Sequence, residues 1–341
     1  MERGTLYQLR NLINRRNVKK EVKSDVNAAE DFIETVVTGY IVSAVLSYLG
    51  MSGIDDTPSD TILSPDLWME DDSVRKSALM GVASAIVDKH VDLATEFSET
   101  REGSDDGSAE NSSDCGESAD DGGEGSDGPM GSAYEYCREV LSLGLLYLNF
   151  KDSIREGDGT RVMVAWKYFM LIFKATKHKN YAMEALTMLT QYFVILPPNL
   201  AEQLKCSRFV NVHGFPGHNI SADLHMEHMN RTVKTIIDGL GANKTDTAIV
   251  RAGKSVGPVS DILATFDDEA GVAPISGKHA EKSELNDLHQ IVNQLMELEV
   301  FDAGLHNYKS FLNLKANLTK TLPEKDIKKW ILSNFSKYTL S

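Results

Sequence analysis

Apolar residues return every three or four positions through nearly the whole chain, the spacing of helices that bury one face. Leu6, Leu9, Leu12 and Ile13 make a short first stripe. Phe32, Val36, Tyr40, Val42 and Leu46 mark a helix over 27–49, stopped by Gly50. Further helices are expected over 72–97, with Leu79, Val82, Ile86 and Val87 inward, and over 134–150. The turn Gly157-Asp158-Gly159 leads into 160–175, where Val162, Trp166, Phe169, Met170 and Phe173 predict deep burial. Residues 181–195 read as another buried helix, stopped by Pro197-Pro198. From about Ala222 a helix aligns Met226, Met229, Val233, Ile236, Ile237 and Leu240, and the first four are expected to be buried. Leu285, Leu288, Val292 and Leu295 mark 281–298, and Thr321-Leu322-Pro323-Glu324 forms a capping box before a last helix. Strand signals are thin, with Phe209 to Val212 the one short run. The expected fold is mainly α: a multi-helix globular domain with few or no short strands.

One stretch breaks the pattern. Residues 102–132 hold ten carboxylates, eight glycines and no Lys or Arg. They bury too little apolar surface to offset the entropy of ordering, which predicts a disordered acidic loop inserted between two helices. Ser104 and Ser113 stand beside acids there, a setting for phosphorylation, while the plainer reading is a solvated insertion. The expected organisation is a main helical domain over 1–252, interrupted by that loop. A joint over 253–280, punctuated by glycine and proline, then leads to a C-terminal helical part over 281–341.

The loop also changes how the charge is read. It carries −10 of the formal −15, so the rest of the chain is only mildly acidic. Both ends are basic: residues 1–23 and 309–337 each hold seven Lys or Arg against two acids. If the ends meet they form a patch that attracts phosphate backbones, with Arg10, Arg15, Arg16, Lys19, Lys20, Lys328 and Lys329 as candidate nucleic-acid contacts. If they lie apart, each is a solvated helix face. With 42% hydrophobic residues and only 3 Cys, the composition excludes disordered, collagen-like and disulfide-scaffold classes. Met1-Glu2-Arg3 leads into an Arg-rich stretch instead of an apolar signal region, and the longest apolar run, 36–49, is short of a membrane span. The expectation is an intracellular protein with no membrane partner. Nucleus and cytoplasm both stay open, with the nucleus favoured.

Polar chemistry concentrates between His213 and Arg231. Asp223, Glu227, Asn230 and Lys234 fall on one flank of the helix that starts at Ala222, with His225 and His228 projecting elsewhere. Asp223 and Glu227, assisted by Asn230, suit a hard cation such as Mg or Mn. His213, His218, His225 and His228 are the weaker alternative, for a metal that prefers imidazole. A helix with a polar face and hydrogen-bonding loop histidines explains the same residues without a ligand, so no cofactor is assured. A second string, Asp152 to Arg161, reads either as acids lining a cleft or as a turn with Asp158 or Thr160 as N-cap. Gly253-Lys254-Ser255 lacks the first glycine of a phosphate-binding loop, since position 248 is Ala248. Gly239 and Gly241 lack the third glycine of a dinucleotide fingerprint. Cys206 and Ser207 have no base at a useful spacing.

Three stretches together carry a resemblance: Gly4 to Arg10, Asn149-Phe150-Lys151-Asp152 through Trp166-Lys167-Tyr168-Phe169, and Asn211-Val212-His213-Gly214 through Asp223 to Asn230. They resemble a large eukaryotic family known by a domain of unknown function of the DUF6589 type, often similar to mobile elements. The resemblance covers most of the chain except the acidic loop, and implies that the chain corresponds to the C-terminal portion of that domain. It supplies no established catalytic residue. Likeness to transposases with a ribonuclease-H-like core would imply three carboxylates around two magnesium ions, with Glu227 as the last and the first two upstream of this chain. The implied function is a transposon-derived, nucleic-acid-associated protein that is not an active nuclease in this truncated form. Any activity would be metal-dependent phosphoryl transfer on nucleic acid, with Glu227 and Asp223 as catalytic carboxylates. The alternative is a helical protein-interaction scaffold without catalysis.

Overall fold

The computed structural model describes residues 4–22, 25–59, 63, 65–91, 133–212, 214–242, 244–271, 284–301 and 322–339. The acidic stretch 102–132, His213 and Thr321 lie outside the described residues. Helices dominate, and the described strands form a single two-stranded sheet. The chain divides into two compact units: 1–145 with 283–317, and 146–282 with 318–341. No helix among the described residues is long and apolar enough to cross a membrane.

The first unit contains α1 (Leu6–Leu12), α2 (Val26–Tyr48), α3 (Asp72–His90), the first half of α4 (Ala133–Glu156) and, numbered in chain order, α11 (Glu284–Glu297). Thr5 caps α1 by accepting from the Gln8 N–H, and Asp25 caps α2 by accepting from the Ala28 N–H. Helix α2 buries a face about half its circumference wide, from Phe32, Val36 and Val37 to Tyr40, Ala44 and Leu46. A face that wide needs partners on two sides. Gly39 admits Ile291 of α11 on one, and Gly144 of α4 admits Val37 on the other; a Cβ at either glycine would overlap its neighbour. The Tyr40 hydroxyl, fully buried, donates to the Gly4 carbonyl at 2.6 Å, and the Leu6 N–H donates to Tyr136 Oη at 3.1 Å.

Arg15 completes this unit. Its guanidinium, 7% exposed, reaches Asp31 of α2 at 2.6 Å and Asp287 of α11 at 2.8 Å. A charge so desolvated is stable only while both carboxylates stay, so the ion pairs fix where α11 lies along α2. Helix α3 contributes the line Val82, Ile86 and His90 to the core, while Leu79 and Val87, expected inward, are exposed because α3 touches α2 along one narrow edge.

The second unit contains the rest of α4, then α5 (Gly159–Ala175), α6 (Lys179–Thr190), α7 (Pro198–Cys206), β1 (Phe209–Val210), β2 (Ile220–Ser221), α8 (Ala222–Gly239), α9 (Asp246–Lys254), α10 (Val256–Glu269) and α12 (Glu324–Thr339). Its core joins Met163 and Met170 of α5 to Ala185, Leu186, Met188 and Leu189 of α6, with Trp330 and Ile331 of α12 alongside. Trp166, Phe169 and Phe173 are half-buried, short of the deep burial expected, and form an aromatic series, edge-on among Phe150, Trp166 and Phe169 and tilted from there through Phe173 to Tyr181. The helix expected over 181–195 ends its α-helical part at Thr190 and continues as a wider π-helical turn, Gln191–Ile195. Within the stretch expected as a joint, the described residues 253–271 are largely helical. Residues 253 and 254 end α9, and α10 runs through Gly257 and Pro258, where proline in a first turn forfeits no hydrogen bond.

Two measurements check this packing. Gly144→Ala is expected to lower the unfolding midpoint by at least about 5 °C through overpacking against Val37, whereas Gly81→Ala on the open face of α3 should leave it unchanged or raise it slightly. His90 is fully buried against Phe301, with its Nε2 lacking a hydrogen-bond partner. Burial first, then Lys89 and Arg138, pushes its pKa down to about 4. The unfolded chain therefore binds a proton below about pH 6.5 that the folded unit takes up only near pH 4. Stability is expected to be full above pH 6.5 and to fall by up to about 3 kcal/mol on acidification toward pH 4, a slope that His90→Phe should flatten.

Candidate functional site

The turn from α4 into α5 is built by Asp158. Gly157 takes φ +70° to end α4, and the Asp158 carboxylate accepts from the Thr160 and Arg161 N–H groups at 3.0 and 3.1 Å. The Arg161 N–H and then its guanidinium hold the Asp158 carboxyl below the usual carboxylate range. Arg161 also reaches Asp152 at 2.6 Å and Asn149 at 3.2 Å. The string Asp152 to Arg161 is thus a helix cap with a local ion-pair knot, and Asp152 and Asp158 are engaged with Arg161. On the opposite side Lys205 Nζ donates to Thr160 Oγ1 at 3.3 Å, its stem lying where a Cβ on Gly159 would stand.

The hairpin between β1 and β2 docks on this turn. Its loop is closed from within: Asn211 Oδ1 accepts from the Gly214 N–H at 2.7 Å and Asn211 Nδ2 donates to the Phe215 carbonyl at 2.8 Å. Asn219 ties the loop down, since its side-chain amide and its backbone N–H both donate to the Arg155 carbonyl, at 2.8 and 3.2 Å. Gly157 leaves room for the Asn219 amide, 3.2 Å from the position a Cβ would take. Two sequence stretches far apart in the chain, 149–169 and 211–230, thereby meet at one carbonyl. His218 lies 2.8 Å from the Pro216 carbonyl through Nδ1, and Ser221 caps α8 by accepting from the Leu224 N–H.

Helix α8 then presents the carboxylate flank. Asp223, Glu227, Asn230 and Lys234 are exposed, as is His228, while His225 is half-buried. Among the described residues no group of three or more His, Cys, Asp or Glu side chains is placed to hold a metal ion. The apolar face of α8 departs from expectation. Met226 and Met229 are 53% and 39% exposed, and Val233 and Ile236 are half-buried. Helix α8 packs on α9, α10 and the small sheet, and Thr232, Val233, Ile236 and Ile237 in its second half are half-buried. Periodicity identifies an apolar face and is silent on what covers it.

The basic candidates separate into two groups. Arg15 is buried between Asp31 and Asp287 and is not presented to a ligand. Arg10 lies over the Tyr7 ring and donates to the Arg16 carbonyl, with Arg16, Lys19 and Lys20 exposed beside it in the first unit. Lys328 and Lys329 are exposed on α12 in the second unit, Lys328 paired with Glu324 at 2.6 Å.

Sequence reasoning missed a further surface beside α12. Lys167 and Lys174, seven residues apart on one face of α5, stand over aromatic rings. Lys167 Nζ is 4.4 Å from the centroid of Phe193 and Lys174 Nζ 4.8 Å from that of Trp330. Phe193, Tyr168 and Tyr181 are about half-exposed in the same unit. The signal was available in the charge distribution: residues 159–208 carry seven Lys or Arg, two Glu and no Asp, in a chain of net −15.

Residues 1–279 match the model of a family described as a family of unknown function (DUF6589). No curated protein and no solved structure matches the chain.

The docking of the hairpin has a direct check. Asn219→Ala removes a hydrogen bond worth about 1 kcal/mol and frees the loop. Amide exchange over 214–220 is expected to accelerate severalfold while the unfolding midpoint moves by no more than a few degrees.

Proposed function

From the premise that the chain belongs to DUF6589, a family of unknown function, we propose that it associates with single-stranded nucleic acid and does not itself cleave it. The observation that carries this reading is the pair of lysine–aromatic contacts on α5, Lys167 on Phe193 and Lys174 on Trp330. Seven residues of helix set the two lysines about 10 Å apart. That is a distance a flexible phosphate backbone spans, and the half-exposed Phe193 ring beside Lys167 offers a face on which a base stacks. Lys329 flanks Trp330 on α12 and extends the cationic edge. Arg10, Arg16, Lys19 and Lys20 form a basic group of their own in the first unit. Asp223, Glu227 and Asn230 offer a cation too few ligands for strand cleavage, and weak Mg or Mn binding is the most they support. This reading fits a transposon-derived protein that keeps an association role, acting inside the cell.

Binding of a fluorescent single-stranded 20-mer across a salt series tests it. Log affinity should fall linearly with log salt, and Lys167→Ala with Lys174→Ala should make that slope shallower by about 1.4, or about 0.7 for each phosphate no longer neutralised. Phe193→Ala should weaken binding roughly tenfold and leave the slope alone, because stacking releases no counterions. Binding that is independent of salt, or unchanged in all three variants, contradicts the proposal.

A further inference from the structure

The flank of α8 that looked like a cation site has a second property. Along the helix axis it reads Asp223, Glu227, Asn230, Lys234, with axial offsets symmetric about the midpoint between residues 228 and 229. When two identical helices pack antiparallel about a two-fold axis, the same flank of each meets the other, running in reverse. Asp223 of one copy then lies opposite Lys234 of the second, and Glu227 opposite Asn230, each pair made twice. The stripe is complementary to itself.

The adjoining face supplies the apolar area that such a contact needs. Met226 and Met229, at the centre of the same half of α8, are uncovered, and Met packs adaptably against its own kind. Helix α10, which packs beside α8, leaves Val259, Ile262, Leu263 and Phe266 exposed as well. These six side chains are 38–67% exposed, and a stable interface buries roughly 800 Å² on each partner, an area that needs the apolar side chains of both helices together with the charged flank. Uncovered apolar surface on that scale marks an interaction site on a protein.

We propose that a second copy of this chain covers this face, pairing α8 with α8 antiparallel about a two-fold axis near Met229 and forming a homodimer. The contact is isologous, so it closes on itself and does not propagate into a filament. Asp223 and Glu227 act in it as docking charges, and Asn230 as their hydrogen-bonding partner.

Sedimentation velocity on the full chain, between about 1 and 100 µM, tests this with a charge exchange. The wild type is expected to dimerise within that range. Lys234→Glu places acid against acid, and Asp223→Lys places lysine against lysine. Each should raise the dimer dissociation constant at least roughly tenfold, with unchanged circular dichroism because the positions are exposed. The double variant Asp223→Lys with Lys234→Asp restores opposite charges and should recover dimerisation to within a few fold of wild type. A wild type that stays monomeric at 100 µM overturns the proposal, as do single variants that dimerise normally, or a double variant no better than the singles.

Discussion

A helix that buries half of its circumference needs neighbours on two sides, and α2 obtains them because two glycines let other helices approach its surface closely. Gly39 accepts Ile291 of α11, and Gly144 on α4 accepts Val37. Those approaches place Tyr40 where it bonds the Gly4 carbonyl, and they bring Asp287 within reach of Arg15. The first unit is therefore held by close apolar contact, with a few desolvated polar links setting register. His90 and Cys137 sit in the same core, and burial pushes the Cys137 thiol up to about 12, which leaves it an inert packing group.

The second unit is organised differently. Its helices meet through methionine and aromatic rings and leave several apolar faces half-covered, on α5, α8 and α10. A folded chain tolerates such faces singly, but a concentration of them points to partners. On and around α5, Tyr168 and Phe193 are exposed and Lys167 stands over the Phe193 ring, which favours a polyanion. On α8 the apolar side chains are flanked by charges of both signs and on α10 by acids alone, which favours protein. The two surfaces call for different ligands because their charges differ, although the helices that carry them have the same amphipathic pattern.

Much of this was legible in the sequence. The periodic apolar positions locate most helices to within a few residues, and Asp158 declares itself a cap through the Gly-Asp-Gly turn it occupies. What the pattern does not contain is coverage. Met226 and Met229 have the spacing of core residues and are exposed, whereas Arg15 sits in a basic, solvent-like run and is buried. Burial depends on which distant element arrives, here α11 for Arg15 and no described helix for the two methionines. The π-helical turn at Gln191–Ile195 was equally hidden, since one extra residue in a turn changes no local composition. Its consequence, Phe193 under Lys167, became visible only in three dimensions.

The claim on which the functional account rests is that the cationic aromatic surface of α5 and its neighbours, and not the carboxylate flank of α8, receives nucleic acid. Hydrogen–deuterium exchange with and without a single-stranded 20-mer addresses it directly. The account predicts protection concentrated in 167–181, 191–195 and 325–331, with 222–231 unchanged whether or not magnesium is present. Protection confined to 222–231 and appearing only with magnesium would contradict it, as would no protection in either region.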